Sequence, residues 1–130
     1  MFYGKNNENR NSLTTIATAR MLESIMTSTV VSPPACTRLQ KYLFRSLDLS
    51  DRQVDPLNQI DGFLGEGLPS ESLLWSKAGW MSEARHDAAW WHTPNKPPSL
   101  LVVFSTGKAC SNDHTLLPEL ARLLSCYDFD

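Results

Sequence analysis

Ser72-Leu73-Leu74-Trp75-Ser76-Lys77-Ala78-Gly79-Trp80, with the two apolar runs that follow it, decides how this chain folds. Ser72 to Lys77 reads as a strand and His86-Asp87-Ala88-Ala89-Trp90-Trp91 as a second, with Gly79 to Arg85 as the turn between them. A third run, Ser99-Leu100-Leu101-Val102-Val103-Phe104-Ser105, follows the loop Pro94-Asn95-Lys96-Pro97-Pro98 and completes an antiparallel meander of three strands. The chemistry of interest is expected where the first strand ends. A lysine, a small residue and a glycine stand at its C-terminal tip, where backbone N–H groups can face a ligand.

Helices are expected on either side of this meander. Thr14 or Ser12 can cap a helix through about Met26, with Ile16, Ala19, Leu22 and Ile25/Met26 at helical spacing. Ser32-Pro33-Pro34 opens a second, to about Leu47, with Cys36, Leu39, Leu43 and Leu47 inward. From Asp48 to Pro69, Asp55-Pro56 and three glycines allow a short helical turn and then a glycine-rich approach to the first strand. Asn6 to Asn11 is a polar loop, and Gly107 to Asn112 is another. Asn112 or Asp113 then caps a last helix carrying the stripe Leu116, Leu117, Leu120, Leu123 and Leu124, which begins just before Pro118.

Leu100, Val102 and Phe104 alternate with Leu101 and Val103, so both faces of the third strand are apolar, as in a sheet covered on each side. Its far edge needs a partner too, because a long hydrophobic edge strand aggregates unless something pairs with it. Residues 1–130 are therefore expected to be the C-terminal part of a larger domain. An N-terminal segment of that domain would supply a strand against Ser99 to Ser105.

Composition narrows the classes. The 130 residues are one domain's worth, and a net charge of −2 without any basic cluster speaks against nucleic acid or an anionic membrane as partner. Cys36, Cys110 and Cys126 are odd in number and widely spaced. That speaks against a disulfide framework and a zinc site, and buried small hydrophobes are the expectation. The polar N-terminus has no apolar signal core and no stretch approaches a membrane span, so the chain as written is expected to stay where it is made.

Lys77-Ala78-Gly79 can set an ammonium and a backbone N–H around an anionic oxygen, although a solvated lysine before a turn glycine is the plainer reading. His86 and Asp87 are adjacent and point to opposite faces of a strand, so they form no relay. His86 and His92 share a face but lie roughly 20 Å apart, too far to ligate one metal. His114 has no partner that spacing identifies. Ser105-Thr106-Gly107-Lys108 spells S-x-x-K, but that motif works on one turn of a helix, and here Gly107 interrupts at the close of a strand. Gly107-Lys108 lacks the upstream glycine and following hydroxyl of a P-loop.

Leu74-Trp75-Ser76-Lys77-Ala78-Gly79, then Ala84-Arg85-His86-Asp87-Ala88-Ala89, then Leu101-Val102-Val103-Phe104-Ser105-Thr106-Gly107 resembles, in order and spacing, the C-terminal part of the class A β-lactamase-like serine hydrolases. In that family a strand ends in K-T-G or K-S-G, the next opens with an R-H-D type sequence, and a third precedes the last helix. Asn11-Ser12-Leu13-Thr14-Thr15 resembles the segment after the omega loop, and the helix from Pro33 the one after it. The resemblance implies an α+β fold, an antiparallel sheet with helices on both faces, and an active site at the edge of the K-T-G strand. It implies that Lys77 orients the substrate, that Gly79 allows close backbone approach, and that the Trp80 N–H is half of an oxyanion hole. Arg85 would contact a substrate carboxylate.

The ligand implied is a β-lactam or related acyl amide, with no cofactor and no metal. Ala78 departs from the family's Thr or Ser and removes a hydroxyl that would meet a lactam carboxylate. The helix-borne S-x-x-K, the S-D-N segment and the omega-loop glutamate are expected upstream of this stretch, and Glu8 lies too near the first helix to be that glutamate. Three readings follow. One is a fragment of a serine hydrolase of the β-lactamase and penicillin-binding type, inert alone. Another is a non-catalytic module that self-associates or pairs through an exposed strand edge. The last is a small hydrolase using Ser105 and Lys108.

Overall fold

The computed structural model describes residues 5–6 and 12–126, so the loop expected at 6–11 lies, but for Asn6, outside the described residues. Two helices open the structure. In α1, Thr15–Met26, the Thr14 hydroxyl accepts from the Ala17 N–H, and Leu22 and Ile25 are the buried positions. In α2, Pro33–Leu43, Ser32 is the N-cap and both prolines sit in the first turn, where no intrahelical donor is lost. Cys36 is fully buried and its thiol reaches the Val30 carbonyl.

The second helix ends at Leu43 rather than Leu47. Phe44 turns extended and begins a two-residue strand, β1, Phe44–Arg45, whose ring meets Trp75 edge-on at 5.8 Å. The cross-strand aromatic pair and the strand bonds replace a last helical turn. The sheet therefore has four antiparallel strands and not three, in the order β1-β2-β3-β4, with β2 Leu73–Met81, β3 Ala84–His92 and β4 Ser99–Thr106. A short α3, Leu49–Val54, and a 3-10 turn, Leu64–Gly67, lead into β2.

The turn between β2 and β3 is also tighter than its glycine suggested. Met81 pairs with Ala84, which leaves only Ser82 and Glu83 outside the ladder. Strand β2 thus runs four residues past Lys77, which sits at mid-strand instead of at a tip. A one-turn helix, α4, Lys108–Asn112, replaces the loop expected there. Asp113 opens α5, Leu116–Cys126: its Oδ1 accepts from the hydroxyl and N–H of Thr115 and from the Leu116 N–H. The Thr115 hydroxyl, then its N–H, holds the Asp113 carboxyl below the usual carboxylate range.

Helices cover both faces of the sheet. Even-numbered residues of β2 and odd-numbered ones of β3 face α5 and the 3-10 turn, forming a core of Leu74, Ala78, Ala89 and Trp91 with Leu64, Leu117 and Ala121. The approach there is close. A Cβ at Gly67 would come 2.0 Å from the Pro118 carbonyl oxygen, and one at Gly65 would come 2.7 Å from Leu74. The opposite face meets α1, which packs against β3 and β4. Among the described residues β4 pairs with β3 alone.

Candidate active-site edge of strand β2

The two-residue hairpin sets where every backbone group of β2 points. Met81 and Ala84 close the ladder, so the odd-numbered residues of β2 exchange hydrogen bonds with β3 and the even-numbered ones direct N–H and C=O to the outer edge. Ala78 obeys this: its N–H donates to Gln59 Oε1 at 3.2 Å. Strand β1 covers that edge only at Leu74 and Trp75. The N–H of Trp80 points the same way, two residues beyond Ala78 and past the reach of β1.

Lys77 leaves the sheet on the α1 face. Its aliphatic stem lines a cavity of about 230 Å³ with Thr18, Met21, Leu22, Ile25, Leu43 and Ala88. Its ammonium curls back over the edge, donating to Gln59 Oε1 at 3.2 Å and to the Ala78 carbonyl. Lys77 Nζ and the Ala78 N–H therefore converge on one oxygen. Gly79 leaves open space, since a Cβ built there meets nothing within 4 Å. Sequence spacing brought Lys77, Ala78, Gly79 and Trp80 together but gave no sign of Gln59, a polar loop residue 18 positions upstream of Lys77.

Arg85 lies opposite Trp80 in the register and leaves the sheet on the α5 face, away from the Lys77 stem. It is buried. Its guanidinium donates to the carbonyls of Ser111 and Gly62 and bonds His114 Nε2 at 3.0 Å, so that ring nitrogen is the bare one and His114 has the partner that spacing could not supply. The same guanidinium lies 4.7 Å over the Phe63 ring, and Phe63 in turn packs on Trp80 at 5.4 Å. Arg85, Phe63, Trp80 and His114 line a cavity of about 190 Å³ closed by Asn58 and Asp61.

Beneath this edge Asp87 is 1% exposed. It stands opposite Ala78 in the register, with Oδ2 accepting from the Leu64 N–H at 3.0 Å and Oδ1 unpaired. Burial pushes its carboxyl up to about 7, against the opposing pull of the Leu64 and Ala88 N–H groups and of the Lys77 and Arg45 charges. His86 points to the other face, where Nδ1 accepts from the Ser105 N–H and the ring packs on Phe104, so no His–Asp relay forms. The Ser105 hydroxyl donates to the Arg85 carbonyl, and Lys108 begins α4 beyond Gly107. Of the cysteines only Cys36 is buried; Cys110 is half-buried and Cys126 exposed. Among the described residues no cluster of three or more His, Cys, Asp or Glu could hold a metal ion, and no helix is long and apolar enough to cross a membrane.

Several solved structures share this architecture. A β-lactamase from Xanthomonas campestris matches at 21% identity with a TM-score of 0.70, over 94% of this chain and 43% of its own. PBP-A matches at 16% identity and 0.69, over 91% and 40%. A variant of the class A β-lactamase of the last common ancestor of Gram-negative bacteria matches at 24% and 0.66, over 89% and 41%. The chain thus spans about two fifths of the length of each of these three. No curated protein matches it. A model of the β-lactamase enzyme family matches residues 1–128, nearly the whole sequence, and the chain belongs to that family.

Proposed function

We infer that the outer edge of β2 is half of an acyl-binding cleft of a serine hydrolase of the β-lactamase and penicillin-binding type. On this reading residues 1–130 form the C-terminal part of its domain, and the attacking serine and its base come from elsewhere in that domain. The observation that carries the reading is the convergence of the Lys77 ammonium and the Ala78 N–H on one oxygen, with the Trp80 N–H two residues along the same edge. The two N–H groups are fixed in advance by the ladder, the arrangement that stabilises charge developing on an acyl oxygen, and the ammonium adds a positive charge beside them.

Lys77 orients the ligand and draws its anionic end. The Trp80 N–H is one half of the oxyanion hole, and Gly79 leaves the room in which an acyl group lies against the strand. Arg85 is the carboxylate contact; its guanidinium bonds two carbonyls and an imidazole, none of them an acid, beside a cavity shared with Trp80. Ala78 has no hydroxyl to share that load, so a carboxylate at the Lys77 end of the edge rests on Lys77, while Arg85 would meet one only at the Trp80 cavity on the α5 face. A mutant of PBP-A, whose fold resembles that of this chain, has been seen as an acyl-enzyme with penicillin G, which supports a β-lactam as ligand class.

The test is an amide NMR titration of this chain with penicillin G, read beside a mass spectrum. Shifts are expected at Lys77 to Trp80 and at Arg85, lost on Lys77→Ala, with no covalent adduct. Shifts confined to α2 or α5, or an acyl adduct on Ser105, would sink the reading. Among the described residues one side of β4 has no strand beside it, which favours a second reading, pairing with another chain by strand addition, for which a monodisperse dimer in sedimentation would speak.

A further inference from the structure

Gln59 holds the place that a ligand oxygen would take. Its Oε1 accepts at 3.2 Å from Lys77 Nζ and at 3.2 Å from the Ala78 N–H, so both donors on that part of the edge are spent on a side chain of the same molecule. The residue is not loosely hung. Asn58 Oδ1 accepts from the N–H groups of Ile60 and Asp61, Asn58 Nδ2 donates to Asp61, and Arg52 pairs with Asp61, which braces the backbone on both sides of position 59.

We propose that Gln59 is a built-in competitor at this edge: its carboxamide oxygen occupies the Lys77–Ala78 subsite and must be displaced by any ligand that binds there, which weakens every such ligand by the same factor. The proposal rests on the reading of the β2 edge as a ligand site. The physical reason is that the two donors cannot serve the carboxamide and a ligand at once. Displacing the carboxamide is a cost common to all ligands, so it lowers affinity without changing the preference among them. The apparent dissociation constant is the intrinsic one divided by the fraction of time the subsite is open.

The experiment titrates the chain with penicillin G and with its neutral methyl ester, in the native sequence, Gln59→Ala, Gln59→Glu and Lys77→Ala, read by the Ala78 amide resonance. Gln59→Ala is expected to tighten penicillin G and its ester by the same factor, about fivefold, because the displacement cost is common to both. Gln59→Glu puts an ion pair in the subsite and is expected to weaken both ligands by about tenfold or more. In the ligand-free protein Gln59→Ala is also expected to speed hydrogen exchange at the Ala78 amide, a readout that needs no ligand.

Unchanged or weaker binding in Gln59→Ala, with binding still lost in Lys77→Ala, overturns the role of Gln59 and leaves the site reading standing. Unchanged Ala78 exchange in Gln59→Ala overturns it as well. Binding by none of the four proteins overturns both.

Discussion

The two faces of this sheet are made from the same strands and are unlike in every physical respect. Toward α5, Leu74, Ala89, Leu117 and Ala121 are fully buried, and the 3-10 turn lies so close that Gly67 has no room for a methyl group. Toward α1, Ile16 and Met21 are more than half exposed, Phe104 is 39% exposed, and a cavity opens beside Lys77. One face is a closed core except for the cavity at its Trp80–Arg85 end, and the other is an apolar surface only partly covered. The stability of this chain therefore resides on the α5 side. The proposed ligand edge sits on the seam, where β2 passes from one face to the other.

The largest way to disturb that contrast is through Asp87, the buried carboxyl of the finished face. Its carboxyl holds a proton more tightly when folded than when unfolded, because its value is raised from 3.8 to about 7. The folded state is then favoured most below about pH 4, loses stability as pH rises to about 7, and is flat above that. A shift of this size corresponds to on the order of 4 kcal/mol. Asp87→Asn is expected to remove the slope, and urea midpoints across that range would measure it. A mutant curve parallel to the native one would dissociate Asp87 from the effect.

Truncation tests the contrast directly. Leu117→Ala on the finished face is expected to cost about 3 kcal/mol, through lost burial and a cavity that the rigid 3-10 turn cannot fill. Met21→Ala on the open face is expected to cost less than about 0.5 kcal/mol in this chain, since its side chain is already largely in water. Denaturant midpoints for the two variants decide it; equal losses would mean that α1 is as firmly held as α5.

What could be read from residues alone was whatever is fixed within a few positions. Thr14, Ser32 and Asp113 mark helix starts because a cap bonds to N–H groups two or three residues on, and all three do so. The apolar runs of β2, β3 and β4 announced strands for the same local reason. Strand β1 stayed hidden because Leu39, Leu43 and Leu47 continue a helical spacing, while the pull that ends the helix comes from Trp75, more than 30 positions away.

The hairpin was misplaced because Gly79 looks like a turn residue. The ladder instead runs through it to a Ser82–Glu83 turn that carries no glycine. At the site, Lys77, Ala78, Gly79 and Trp80 were legible as a contiguous motif. Gln59 and the His114 partner of Arg85 were not, since each reaches its place only through the fold.

That Ser82–Glu83 turn is tied down from outside the hairpin: the Glu83 carbonyl accepts from the Gly107 N–H, and the Ser82 carbonyl accepts from the Ser111 hydroxyl. Lengthening it by even one residue would tear α4 from its moorings and slide Trp80 against Arg85. The position of Trp80 on the edge is thereby set by α4 and the loop before it as much as by the hairpin's own two residues.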